Sequence, residues 1–329
     1  MNDLTTDHLS VDDGAAVRPV RDRVRSFLTL TSPSRDLEVG LDTTVPPEIR
    51  PLSREELDVV LAWGEADPAP DPYDATAIWD ADPAGLWGVE VDGVLVAAAS
   101  TLAHQGQLGR IGFVVVRPEM RRRGIGQLTI QFLVDDLLAR LAPGAAITLD
   151  ATLEITDHAE RLGFVAAHTL TRMRGTAEVG RRGPHTGEIR ALTAVPFELV
   201  MGLDTLHTGV LREALLRTWI APPAGLGLGV YERGELLGMG VVRRSRTGLA
   251  IGPLFASEPD VAQDLFTALV SPHAGAAITL DVPAANPVAV ELAGANRLAP
   301  TATRTTMALG DLPVLPLDTV YGITSYELG

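Results

Sequence analysis

The run Val114-Val115-Val116-Arg117-Pro118-Glu119-Met120-Arg121-Arg122-Arg123-Gly124-Ile125-Gly126 sets three consecutive arginines and two glycines between a β-branched strand and an amphipathic helix over Gln127 to Leu141. A helix N-terminus offers unpaired amides and a positive dipole end, which suit phosphate. Gly124 and Gly126 let the backbone close round an anion where a Cβ would intrude. Arg121, Arg122 and Arg123 add positive charge beside those amides. The chemistry in view is the holding of a pyrophosphate-bearing cofactor. Other phosphate loops fit worse: no Gly-Lys-Ser/Thr follows, and the third glycine of a dinucleotide fingerprint is replaced by Thr129.

These residues resemble the signature loop of the GNAT superfamily of acyl-CoA-dependent N-acyltransferases, Arg/Gln-x-x-Gly-x-Gly/Ala, which Arg121, Gly124 and Gly126 match. The resemblance covers roughly 46–178. It includes the strand Ala146-Ile147-Thr148-Leu149-Asp150 and the segment Ala159-Glu160-Arg161-Leu162-Gly163-Phe164, similar to the family's closing helix and its Leu-Gly-Phe exit. It implies that the loop amides, from Arg121 to Gly126 with Ile125 between the glycines, hold the pyrophosphate of acetyl-CoA or another acyl-CoA. It also implies that the strand Phe113 to Val116 splays from its neighbour and binds the pantetheine arm. Backbone N–H groups of Val114, Val115 and Val116 are then candidates for holding the oxyanion. The implied fold is α/β (α+β), a mixed, mostly antiparallel central sheet flanked by helices.

Amide formation from a thioester needs a neutral amine, a polarised carbonyl and a proton for the departing thiolate. The family often supplies that proton from a tyrosine four residues before the glycine equivalent to Gly163, where this chain has Ala159. Three replacements stay open. His158 has a suitable proton affinity, although adjacent helical residues point about 100° apart. Tyr321 or Tyr326 could reach in from the tail, or water could protonate a thiolate of ordinary pKa. For the base, the acidic stretch Trp63 to Asp74 follows the first helix, where the family places its acceptor loop. It offers Glu65, Asp67, Asp71 and Asp74, against the alternative of a solvated surface loop.

Two segments repeat the same landmarks. Glu48-Ile49-Arg50-Pro51-Leu52 and Glu188-Ile189-Arg190-Ala191-Leu192 open them, helical patterns and hairpins around Asp92-Gly93 and Arg233-Gly234 follow, and Ala145–Asp150 and Ala276–Asp281 are identical. The second copy reads Ala256-Ser257-Glu258-Pro259-Asp260-Val261 where the first has its loop. It lacks the arginines and glycine pair, and its carboxylates repel a pyrophosphate. It resembles the C-terminal domain of tandem GNAT proteins. The expected organisation is an extension over 1–45, partly disordered, a catalytic domain over 46–178, and a degenerate domain over 188–329 that walls the acceptor pocket. Asp150 and Asp281 end equivalent strands, which favours a structural role for both.

The net charge of −15 argues against nucleic acid as a partner and is compatible with a cationic amine. No cysteine is present, which excludes disulfides and thiolate catalysis, and the seven histidines show no metal-ligand spacing, so no metal is expected. No apolar run nears the ~20 residues of a membrane span, and Met1 to Ala15 does not resemble a signal peptide. A cytoplasmic protein, monomer or homodimer, is expected. Its expected function is acyl-CoA-dependent transfer to a primary amine of a small molecule or amino acid, in a ternary complex. The alternative is a non-catalytic acyl-CoA sensor.

Overall fold

A computed structural model describes residues 42–43, 45–63, 71–180 and 187–329. Strand β1 (Glu48–Pro51) leads into helix α1 (Arg54–Ala62). Ser53 starts that helix: its hydroxyl accepts from the Glu56 amide, and the Glu56 carboxylate accepts from the Ser53 amide, a reciprocal cap. Helix α2 (Pro72–Ala81) comes next, then the hairpin of β2 (Leu86–Val91) and β3 (Val94–His104). Its turn residues Asp92 and Gly93 are both left-handed, with φ 52° and 71°, as an Asp-Gly turn requires. Strand β4 (Leu108–Val116), helix α3 (Ile125–Arg140), strand β5 (Ala146–Ala151), helix α4 (Leu153–Arg161) and strand β6 (Val165–Thr176) complete the first copy.

The second copy repeats the order with β7 (Glu188–Ala191), α5 (Phe197–Thr208), α6 (Glu213–Trp219), β8 (Gly225–Glu232), β9 (Glu235–Ser245), β10 (Gly248–Ala256), α7 (Pro259–Val270), β11 (Ala277–Pro283), α8 (Pro287–Ala295) and β12 (Ala299–Leu309). A short extra strand, β13 (Val320–Gly322), follows.

All strands join one mixed, mostly antiparallel sheet, in the order β1-β2-β3-β4-β5-β12-β6-β11-β10-β9-β8-β7, with β13 against β10. The sheet does not follow the chain's division at 178 and 188. Strand β6 pairs with β11, from Ala277↔Thr176 to Pro283↔Leu170. Strand β12 pairs with β5, from Thr305↔Ala151 to Leu309↔Ile147. The two exchanged strands also pair with each other at the centre. Each copy lends its last strand to the other, so neither sheet half is complete alone.

Apolar residues fill three layers. Ile111, Leu133, Leu149 and Ala159 pack beneath α3 and α4, and Leu254, Leu265, Leu280 and Tyr321 form the counterpart beneath α7 and α8. On the opposite face, Leu57, Phe113, Leu170, Trp219, Phe255 and Tyr326 join the two copies.

Candidate functional site

Strands β4 and β5 run parallel and pair only from Leu108↔Ala146 to Arg110↔Thr148. Beyond Arg110 they part in a V. The β3–β4 register shifts between Ala99 and Thr101, and this bulge reverses the alternation of β4. Ile111, Val114 and Val116 face the α3 side, while Phe113 and Val115 face the layer between the copies. Gly112 permits the bulge, since a Cβ there would stand 2.4 Å from Ser100 Oγ. The same hydroxyl accepts from the Phe113 amide at 3.1 Å.

On the α3 side the V opens into a cleft of about 870 Å³ whose lining includes Val114, Val116, Arg121, Arg122, Gly124 and Gly126. Gly124 is left-handed (φ 80°) and begins α3, and no side chain among the described residues caps it. The first-turn amides therefore face the cleft without a partner of that kind. Arg121 is steadied by its Nε–H, which donates to the Val116 carbonyl at 3.1 Å. A Cβ on Gly126 would meet only Val116 Cγ2, at 3.7 Å. The protein itself tolerates a side chain there, so the space kept by this glycine belongs to whatever fills the cleft. An anion cradled by backbone amides fits such a space.

Other residues selected from the sequence sit differently. Val115 and Ile125 are buried, the first on the opposite face and the second under α3, so only their backbones are available. Arg123 turns away to a neighbouring hollow with Asp42, Val91 and Val94. His158 does line the cleft. One of its ring nitrogens, Nε2, donates to the Gln127 carbonyl at 3.2 Å, and burial pushes its pKa down. Ala159 beside it is sealed in the core. Tyr321 lies on β13 in the core beneath α7 and α8, and does not line this cleft. Glu65 and Asp67 lie outside the described residues.

The other acids of that stretch serve the join between copies. Asp74 pairs with Arg243 through two hydrogen bonds, 2.7 and 2.8 Å, with both side chains buried. Asp71 accepts from the Arg246 amide at 2.7 Å.

The second copy has its own V. Strands β10 and β11 pair from Leu249↔Ile278 to Ile251↔Leu280 and then part. Here the gap is filled: β13 runs antiparallel to β10, with Leu254↔Gly322 and Phe255↔Val320 paired on either side of a register shift. A Cβ on Gly322 would stand 2.5 Å from Leu280 Cδ1 on β11. Leu254 occupies the place that Val114 holds in the first copy. Strand β13 thus takes up the β10 backbone that β4 leaves open. The chain then turns over 324–329 and crosses both bulges. Cβ positions on Gly252 and Gly112 would lie 2.3 Å from the Ile323 carbonyl oxygen and 3.1 Å from that of Glu327.

On the face away from α3, the first V adjoins a cavity of about 100 Å³. Arg110 and Asp150 form an ion pair at the vertex, and Arg110 also donates to the Tyr326 carbonyl at 2.7 Å. His104, His168 and His207 come together in this lining although the sequence scatters them. One signal was available: Arg110 is a lone cation in an apolar strand, at a place where the second copy carries Ala250.

Comparison with known proteins agrees with this geometry. The model of the Acetyltransferase (GNAT) family matches residues 53–164, and that of the Acetyltransferase (GNAT) domain matches 200–322. The chain is 26% identical over 236 residues to the Holothin acyltransferase of Pseudoalteromonas sp. (strain SANK 73390), covering 71% of this chain and 78% of that one. Among solved structures, a putative acetyltransferase from Pyrococcus horikoshii superposes with a TM-score of 0.72 at 21% identity, over 86% of this chain and 96% of the other. A tandem GNAT protein from the clavulanic acid biosynthesis pathway gives 0.56 at 16% identity, over 82% and 100%. Among the described residues no helix is long and apolar enough to cross a membrane. With the fold present twice along its length, the chain belongs to the GNAT family and is an acyltransferase.

Proposed function

We propose that the protein transfers an acyl group, in the simplest case acetyl, from coenzyme A to a primary amine of a small molecule or amino acid. The carrying observation is the first-copy cleft, where an uncapped helix start, two glycines and an open strand edge converge. In this reading the amides of Ile125, Gly126 and Gln127 hold the pyrophosphate, with Arg121 and Arg122 beside them. The open edge of β4 at Val114 and Val116 holds the pantetheine arm, and a backbone N–H there polarises the thioester carbonyl. With no cysteine in the chain, the amine attacks the thioester directly in a ternary complex. The relative acting on holothin supports a small-molecule acceptor. His158 holds its Nε2 proton on Gln127, so the departing thiolate takes its proton from the amine or water.

Calorimetry with acetyl-CoA tests the cleft. Binding to the wild type and its loss in Gly126→Asp, with circular dichroism unchanged, is the expected result; no heat with any CoA thioester would overturn the reading. A sensor is the second reading, favoured by Ala159, which offers no hydroxyl. Release of free coenzyme A in the presence of amines separates the two.

A further inference from the structure

The cavity on the far face of the first V has walls that suit a narrow class of amine. They are mainly apolar, with Leu108, Phe255, Leu315 and Ile323 among them. Its charged groups satisfy one another. Asp150 is held by Arg110 and by the Thr306 hydroxyl at 2.7 Å. Arg212 binds Asp204 through two hydrogen bonds, 2.9 and 2.6 Å, and gives its other N–H groups to Leu328, Gly329 and Thr324. Among the side chains of the described lining residues the one carboxylate, Asp150, is already paired, while two guanidinium groups face the space. An ammonium entering here would lose its hydration beside two guanidinium groups and find no unpaired side-chain carboxylate, which is unfavourable.

Three polar groups remain unused. The Nε–H of Arg110, a residue only 4% exposed, has no hydrogen-bond partner among the described residues. The rings of His104 and His168 line the same space, also without such a partner. Burial pushes both imidazoles down, His104 to about 3 with Arg212 and Arg110 adding to the effect, and His168 by burial first, with Asp150 opposing and Arg110 adding. Both are neutral at neutral pH. His207, by contrast, is engaged at both nitrogens, by the Leu203 carbonyl and Thr319, and stacks on Phe255.

We propose that this cavity receives the acceptor, and that the acceptor is a weakly basic amine on an apolar, ring-sized body carrying a neutral hydrogen-bond acceptor such as a carbonyl oxygen. This rests on the coenzyme A cleft lying across the same V. The carbonyl oxygen accepts from Arg110 Nε–H, and the amine N–H groups face the neutral rings of His104 and His168. An arylamine, or an amine conjugated to a carbonyl, enters uncharged and needs no base to free its lone pair. That pair forms the C–N bond to the thioester carbonyl carbon. The C–S bond breaks with its electrons on sulfur, and the proton shed by nitrogen ends on the coenzyme A thiolate. The cavity, about 100 Å³, is smaller than the roughly 150 Å³ that holds benzene, so it limits the body to at most one ring.

The test uses the full chain and two probes, para-aminobenzamide and spermidine. Para-aminobenzamide should bind in calorimetry, and Leu315→Trp and His168→Phe should each weaken it by about tenfold or more, with coenzyme A affinity unchanged. With acetyl-CoA, kcat/KM for para-aminobenzamide should exceed that for spermidine by about a hundredfold at neutral pH, the gap narrowing as alkaline pH deprotonates spermidine. Preference for spermidine at neutral pH, absence of para-aminobenzamide binding, or insensitivity to both substitutions would overturn the proposal. Binding that responds to both substitutions in a protein that gives no heat with coenzyme A would sustain the cavity assignment and sink the donor reading instead.

Discussion

The two V-shaped gaps of this sheet follow the same strand pattern and have opposite contents. Between β4 and β5 the strand edge is open, and an uncapped helix with glycines and arginines stands at its end. Between β10 and β11 the edge is taken by β13, and the helix start carries Glu258 and Asp260 instead. Loop chemistry and groove filling have changed together. The cavities behind the two gaps differ in the same sense. The first is apolar, with its ions paired. The second is packed with Asp74, Arg243, Arg172, Asp281 and Glu327. On the proposed reading, the second copy serves as a support by folding its own chain into the place that coenzyme A takes in the first.

The strongest way to break this comparison is at the join. Asp74→Asn leaves Arg243 buried without its counter-charge, and urea unfolding should report a loss of about 3–5 kcal/mol. Gly126→Asp should lower acetyl-CoA affinity by about a hundredfold through charge and bulk against phosphate. Because the protein leaves room for that side chain, its melting temperature should barely move. Gly322→Val tests the filled gap: its Cβ would press on Leu280, for a cost of about 1–3 kcal/mol. It should create no second coenzyme A site by calorimetry.

The smallest effect is a pH slope. Burial first, and Asp74 second, push the Glu327 carboxyl from 4.5 up to about 7. The folded chain then keeps a proton that the unfolded chain sheds, so stability falls as pH rises from about 4.5 to about 7 and levels above. Glu327→Gln should flatten that part of the melting-temperature profile. An unchanged slope would remove Glu327 as its source.

Local signals carried well from sequence to structure. The helix read from Gln127 to Leu141 spans Ile125–Arg140, and both hairpins turn at Asp92-Gly93 and Arg233-Gly234 with positive φ. These depend on neighbours a few residues apart. Strand exchange was not legible, because β6 and β12 end equivalent halves of the repeat and nothing local to either strand names its partner. Choosing between partners needs contacts from distant parts of the chain. The same distance hid the role of the acidic stretch, whose Asp71 and Asp74 find Arg246 and Arg243 in the other copy. Strand β13 has only three residues, too short for any periodicity.

The reciprocal clasp of β6 and β12 also bears on how the protein can evolve. Thr306, on a borrowed strand, holds Asp150 beside the open gap, so deleting the second copy would strip the first of a supporting wall. On the proposed reading, the copy without a coenzyme A site is still a structural part of the copy that has one.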